Sequence, residues 1–323
     1  MNFLRKLLDY KNVCIQCHNN PDADTIASAF GVHLYLQSKG VKSSIVYGGA
    51  LPIKKSNMKT LIRECDIPVQ RLDQVDMSQF DLLLLVDCQK GQGNVEAVEK
   101  EPVMIIDHHV RVVEENENYL IKSNYQSCST LIYELLLEEA FPVKDHPGLV
   151  IALLYGLYTD TSCFADLFGK QDMQMREALF EDQPLFEQLS KSNMSVAELM
   201  VASDAMYNHY FDIDRGFAIV EALKCEQAVL GIIGDMVIQV DAVKMTFSYT
   251  EAGAGYQISL RSCSEELQVD KIAAFVCEGI GGGGGHKKKA GGRIVKSMMN
   301  EKYGDIPVFE VVNRRLCEYI DAM

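Results

Sequence analysis

No apolar run in these 323 residues approaches the roughly 20 needed to cross a bilayer. The opening Met1-Asn2-Phe3-Leu4-Arg5-Lys6 lacks the apolar core and small-residue cleavage site of a secretory leader. The expectation is a soluble cytoplasmic protein with no membrane partner. Positive charge is also scarce: 31 lysines and arginines face 45 aspartates and glutamates, a formal net charge of −14. Such a chain repels polyanions at long range. That argues against coating long duplex DNA, where affinity comes from many phosphate contacts. Any nucleic-acid activity needs a local basic site and a short substrate. No second pair accompanies Cys14-Ile15-Gln16-Cys17 to complete a zinc site. Residues three apart in a strand face opposite sides of the sheet, so the ten cysteines read as reduced, mostly buried thiols. No internal repeat is evident, and Gly281–Gly285 is the one low-complexity stretch.

What is present suits two globular cores: 48% hydrophobic and 24% charged residues, at about 150 residues per domain. The first half alternates strand-like apolar runs with helical patterns. Strands are expected at 12–17, 43–47, 80–86 and 103–106, and helices at 25–38, 130–137 and 148–158. Phe80 to Val86 is continuously apolar, as a strand buried on both faces would be. This alternation predicts an α/β domain with a mainly parallel sheet flanked by helices, over residues 1–185. Residues 186–215 read as a helical connector. Residues 216–323 read as a smaller mixed-sheet α/β domain, from short runs at 216–223, 229–237, 242–249 and 256–260. A cleft is expected between the two domains.

Four polar segments each follow an apolar element: His18-Asn19-Asn20-Pro21-Asp22-Ala23-Asp24, Asp87, Asp107-His108-His109, and Asp160. In open α/β sheets the ligand crevice lies beyond the carboxyl ends of the strands, so the first three should converge on one edge. Carboxylates with imidazoles suit manganese, magnesium or zinc. Two such ions about 3.5–4 Å apart can clamp the attacking and leaving oxygens of a phosphoryl displacement. Each segment alone has a plainer reading; Asp22 or Asp24, for example, could simply cap the helix that starts near Thr25. All four together, in order, are harder to dismiss.

These segments resemble the motifs of the DHH phosphoesterase superfamily. Gly281–Gly285 with His286 and Ala290-Gly291-Gly292 resembles the glycine-rich signature of the DHH-associated domain, so the likeness spans nearly the whole chain. The layout looks most like the nanoRNase and phosphoadenosine-phosphate (pAp) phosphatase group. The resemblance implies that His18 and Asp22 bind one divalent ion, that Asp24, His108 and Asp160 bind a second, and that Asp87 bridges the two, with manganese the expected metal. It further implies that His109 faces the substrate phosphate as hydrogen-bond or proton donor, with Asp107 orienting the histidines. Where many members read Asp-Gly-Asp-Ala-Ile-Gly-Ser, this chain has Asp-Ala-Asp-Thr-Ile-Ala-Ser, and no ligand position is lost.

In the second domain the resemblance makes Arg261 and Ser262 a phosphate-contacting pair. Gly283, Gly284 and Gly285 would bring backbone N–H groups close to phosphate oxygens, beside His286 and Lys287-Lys288-Lys289. The expected function is metal-dependent hydrolysis of short oligoribonucleotides, with pAp phosphatase action as a companion activity. The alternatives are a phosphodiesterase for cyclic or linear dinucleotides and a non-catalytic nucleotide-binding regulator. A decayed site should have lost ligands, and all six are present. A homodimer is an allowed assembly.

Overall fold

The computed structural model describes all residues except 1, 50, 51, 92, 181–183, 192 and 193. The chain forms two compact units, Met1–Met194 and Ser195–Met323. The division falls inside the segment expected to connect the domains, of which Ser192 and Asn193 lie outside the described residues.

Unit 1 is built on six strands: β1 (Asn12–Cys17), β2 (Lys42–Tyr47), β3 (Val69–Arg71), β4 (Leu82–Val86), β5 (Val103–Asp107) and β6 (Tyr119–Ile121). They lie in the order β3-β2-β1-β4-β5-β6, every pair parallel. The order reverses between β1 and β4, the switch point at which doubly wound sheets open a crevice. Alternation along each strand explains the burial. Val13, Ile15, Leu82 and Leu84 belong to one core, while Cys14, Leu83 and Leu85 belong to a second core on the other face. Cys14 and Cys17 accordingly face opposite sides of the sheet, and burial pushes both thiols up to about 12.

The helices of unit 1 are α1 (Phe3–Lys6), α2 (Ala23–Ser38), α3 (Ser56–Glu64), α4 (Cys128–Glu138), α5 (Pro147–Asp160), α6 (Lys170–Leu179) and α7 (Pro184–Lys191). Helices α2 and α5 are apolar nearly all round and buried, as expected of helices inside a core. Proline at the first position starts α5, where its missing N–H costs no hydrogen bond.

Unit 2 contains α8 (Val196–Ala205), β7 (His209–Asp212), β8 (Phe217–Ala222), α9 (Gln227–Val237), β9 (Met245–Ala252), β10 (Gly255–Ser262), α10 (Val269–Cys277), β11 (Gly281–Gly285), β12 (Lys289–Val295), α11 (Lys296–Tyr303) and α12 (Val308–Asp321). Its sheet runs β11-β12-β10-β9-β8-β7, with β8–β9 parallel and the other pairs antiparallel. A capping box starts α8: Ser195 accepts from the Glu198 N–H, and Glu198 accepts from the Ser195 N–H. One sequence expectation changes here. Residues 229–237, grouped with the strand-like runs, are helical. The glycine run, read from the sequence as a low-complexity stretch, is an edge strand. No helix among the described residues is long and apolar enough to cross a membrane.

Candidate metal centre

The carboxyl edge of the unit 1 sheet gathers the four polar segments around the switch point. His18 follows β1, Asp87 follows β4, Asp107 ends β5, and Asp160 ends α5. Asp22 is the N-cap of α2; its Oδ1 accepts from the Asp24 and Thr25 N–H groups at 3.1 and 3.2 Å. The plain capping role is therefore real for Asp22. The same carboxylate lies 3.5 Å from His18 Nε2, so it both starts the helix and faces the histidine.

Asp87 stands at the centre. It is buried, with a left-handed φ of 61°, a conformation that costs a non-glycine residue energy and collects at functional sites. Its Oδ2 is 3.7 Å from His18 Nε2, and its Oδ1 is 3.3 Å from His108 Nε2. Around His108 Nε2 also stand Asp160 Oδ2 at 3.5 Å and Asp24 Oδ2 at 3.8 Å. Candidate ligand atoms of His18, Asp22 and Asp87 lie within 4.8 Å of one another, as do those of Asp24, His108 and Asp160. A third set, Asp87, His108 and His109, meets the same limit.

The donor set fits divalent cations. His18 Nδ1–H donates to Asn19 O at 2.9 Å, and His108 Nδ1–H donates to Tyr125 O at 3.2 Å. Each bond fixes the tautomer and leaves the Nε2 lone pair facing carboxylates, the arrangement of metal-bound histidine. Asp87 Oδ1 and His108 Nε2 are buried with no hydrogen-bond partner among the described residues. Such orphan groups are costly, and a bound cation would satisfy both.

Protonation shows the same demand for positive charge. Burial resists charging His18, but Asp22 and Asp87 outweigh it and raise the imidazole to about 10. Burial likewise opposes the charged form of His108, and Asp87, Asp24 and Asp160 carry it well above its usual value. Burial and repulsion from Asp87 lift Asp24 to about 7. Burial and repulsion from Asp24 lift Asp160 well above the carboxylate range.

A raised histidine stabilises the fold below its unfolded value of 6.5 and loses that contribution as pH rises through about 10. The raised Asp24 acts in the same direction across the range up to about 7. Metal-free protein should therefore lose Tm as pH rises from 6.5 to 10, and manganese should remove most of that loss. Metal affinity should climb with pH, about tenfold per unit for each proton released. Differential scanning fluorimetry with and without manganese checks this; a flat metal-free profile would contradict it.

His109 and Asp107 form the outer part of the site. Asp107 is buried, and its Oδ1 accepts from His109 Nδ1–H at 2.8 Å and from the His108 N–H at 2.9 Å. Burial opposes the charged form of His109, and the Asp107 contact raises it above its usual value.

Some contributors carry no motif in the sequence. Gln89, fully buried, donates through Nε2 to Asp107 Oδ2 at 2.6 Å and accepts from the Val112 N–H at 2.9 Å, tying the loop after β5 in place. Asp24 reaches across the fold: Oδ2 accepts from the Cys128 N–H at 2.7 Å and Oδ1 from the Ser129 N–H at 2.8 Å, at the start of α4. Gly156 permits that approach, since a Cβ there would stand 2.3 Å from Ser129 Oγ and 3.1 Å from Asp24 Oδ1.

In unit 2, Arg261 lies against the glycines of α9: a Cβ on Gly231 would fall 2.2 Å from Nη2. Its Nη1 donates to Ser259 Oγ and Leu260 O, and Nε stands 3.0 Å from Asp235 Oδ1 without hydrogen-bond alignment. Ser262 is committed to a local turn, accepting from the Ser264 N–H at 3.0 Å, with Lys244 O within 3.3 Å of its hydroxyl. In β11 a Cβ on Gly283 would meet Ala273 O at 2.6 Å, and Gly285 has φ 147° with Lys289 O at 2.6 Å, so packing requires both glycines. Gly284 faces open space. His286 is exposed in the β11–β12 turn, where its N–H donates to Lys289 O.

Residues 12–157 match the model of the DHH family, N-terminal domain. An uncharacterized protein of Methanocaldococcus jannaschii is 24% identical over 264 residues, covering 80% of this chain and 53% of its own length, so the chain spans about half of that relative. An exopolyphosphatase-related protein of Bacteroides fragilis, known from a crystal structure, superposes with a TM-score of 0.78 at 17% identity, over 99% of this chain and 97% of that one. That likeness is one of fold.

Proposed function

We propose that this chain is a two-metal phosphoesterase acting on short oligoribonucleotides, with pAp as a second substrate, a reading supported by the match of residues 12–157 to the DHH family, N-terminal domain. The observation that carries the reading is Asp87, whose two oxygens face two separate histidine–carboxylate groups. His18 and Asp22 would hold one ion and Asp24, His108 and Asp160 the other, with Asp87 between them. Bound divalent ions, manganese by our reading, would supply Lewis acidity and a nucleophile at neutral pH. The protein's own share is positioning. Asp107 holds the His109 ring through Nδ1 and favours its charged form, as suits a group that gives a proton or hydrogen bond to the substrate phosphate. Gln89 fixes Asp107 in turn.

In unit 2 we assign substrate binding to Arg261, His286 and the open backbone of Gly284. An arginine fork matches phosphate geometry. Gly284 lacks a side chain where the fold does not forbid one, which favours close approach of an anion. Gly283 and Gly285 support the strand, and Ser262 supports the turn, so their part in binding would be indirect.

The test is a rate comparison with manganese on a dinucleotide, a five-residue RNA, a 24-mer, pAp, linear and cyclic dinucleotides, and pyrophosphate. The net charge of −14 disfavours long polyanions. The two-to-five-residue RNAs should be cut at least about tenfold faster than the 24-mer, a difference of about 1.4 kcal/mol in barrier. Equal rates on long and short RNA would sink the length preference. A cyclic dinucleotide cut fastest would move the substrate class.

A further inference from the structure

The carboxyl edge of unit 1 carries a second concavity. Cys17, Tyr47 and Arg71 are in register across β1, β2 and β3. Arg71 therefore stands two strand spacings, about 10 Å, from the residue that precedes His18. A cavity of about 390 Å³ opens between this sheet edge and α3. Buried Tyr47 and half-buried Ile53 and Ile62 give it an apolar lining, and Lys59, Arg63 and Arg71 give it positive charge.

The charges form a line. Lys55, Lys59 and Arg63 recur at i, i+4 and i+8, which places them on one stripe of α3, while Met58 and Leu61 of the same helix are buried. Lys55 is the N-cap residue. From Lys55 to Arg63 the stripe spans about 12 Å, and Lys59 and Arg63 stand in the cavity wall. The competing partners of Lys59 and Arg63 are weak. Arg63 pairs with Glu64 at 2.7 Å with both side chains exposed, and such pairs contribute about 0–1 kcal/mol; Arg71 is more firmly held, by both Nε and Nη2 on Asp73. Lys59 makes no ion pair among the described residues. In a chain of net charge −14, three cations around one cavity, with Lys55 one turn before Lys59, make a local basic site that a solvated helix face alone would not require.

We propose that this stripe and cavity form the subsite for the part of a short oligonucleotide beyond the scissile phosphate, with phosphates on Lys59 and Arg63 and a base or sugar against Tyr47 and Ile62. The inference rests on the phosphoesterase reading only for which phosphate is cleaved. The length of the stripe suits the first phosphates past the metals rather than a long strand.

Binding tests it without turnover. Fluorescence anisotropy of a labelled five-residue RNA and a labelled dinucleotide would be read on the full chain in EDTA, for the unaltered protein and for Lys59→Gln/Arg63→Gln. Both side chains are exposed, and retained manganese binding checks the fold. The double substitution should weaken five-residue RNA at least about tenfold, and the ratio of five-residue to dinucleotide affinity should fall toward one. The slope of log affinity against log salt should shrink by about 1.4, the value for two lost phosphate contacts on a single strand. An unchanged affinity and salt slope, or no RNA binding by the unaltered protein, would overturn the subsite. If the protein cleaves RNA and the substitutions change nothing, the subsite fails and the catalytic reading stands. If it cleaves no RNA yet loses binding as described, the catalytic reading fails and the subsite stands.

Discussion

Asp87→Asn is expected to lower turnover by at least about a thousandfold at saturating manganese, while leaving the fold intact. One side chain faces both candidate ion positions, at 3.7 Å from His18 Nε2 and 3.3 Å from His108 Nε2. A neutral amide keeps the shape but loses the charge and one of the two acceptor oxygens. The charge stabilisation a metal pair offers a phosphoryl displacement amounts to several kcal/mol, and each 1.36 kcal/mol is a factor of ten in rate. In metal-free protein the change removes the carboxylate that favours charged His18 and His108 but also relieves the repulsion that raises Asp24, so these contributions offset each other. Steady-state kinetics paired with thermal unfolding separates the two effects. Near-wild-type turnover by Asp87→Asn would remove Asp87 from the centre of the mechanism.

Asp24→Ala should cost both activity and stability, for different reasons. As a ligand, Asp24 would lose its ion. As a buried acceptor, it also satisfies the N–H groups of Cys128 and Ser129 where α4 begins. An abandoned buried donor costs about 1–3 kcal/mol, so the manganese-loaded variant should lose about 3 kcal/mol beyond what loss of the ion explains. Asp160→Ala is the control, because the Asp160 side chain accepts no hydrogen bond among the described residues and its removal also subtracts one candidate ligand. Denaturant unfolding of both variants with manganese checks this. Equal losses would mean that Asp24 does not anchor α4.

The candidate ligands were legible because each sits in a short local string at the end of an apolar element. Once the sheet is parallel, strand ends meet on one edge by geometry alone. Convergence of His18, Asp87 and His108 needed only the correct strands. The contacts that fix the site were not legible. Asp24 meets backbone amides 104 and 105 residues away, and nothing at Cys128 or Ser129 marks the encounter. Gln89 resembles any loop glutamine until its bond to Asp107 is seen. Gly156 sits in an apolar helix, where only the packed neighbour explains it.

The second unit shows where local pattern misleads. Val229–Val237 contains Gly231 and Gly234 among apolar residues, so its period is ambiguous, and packing under Arg261 decides for helix. Five glycines have poor strand propensity, yet Gly281–Gly285 pairs with β12 along its whole length because α10 leaves no room for a side chain at Gly283. The basic stripe of α3 was hidden for a related reason: its meaning depends on which strand edge the helix lies beside.

The most direct test of a metal pair joined by Asp87 is electron paramagnetic resonance of the manganese-loaded protein, with metal content measured on the same sample. Two manganese ions per chain with a spin-coupled signal are predicted, replaced in Asp87→Asn by uncoupled or single-ion spectra. One ion per chain, or two uncoupled ions in the unaltered protein, would contradict the account.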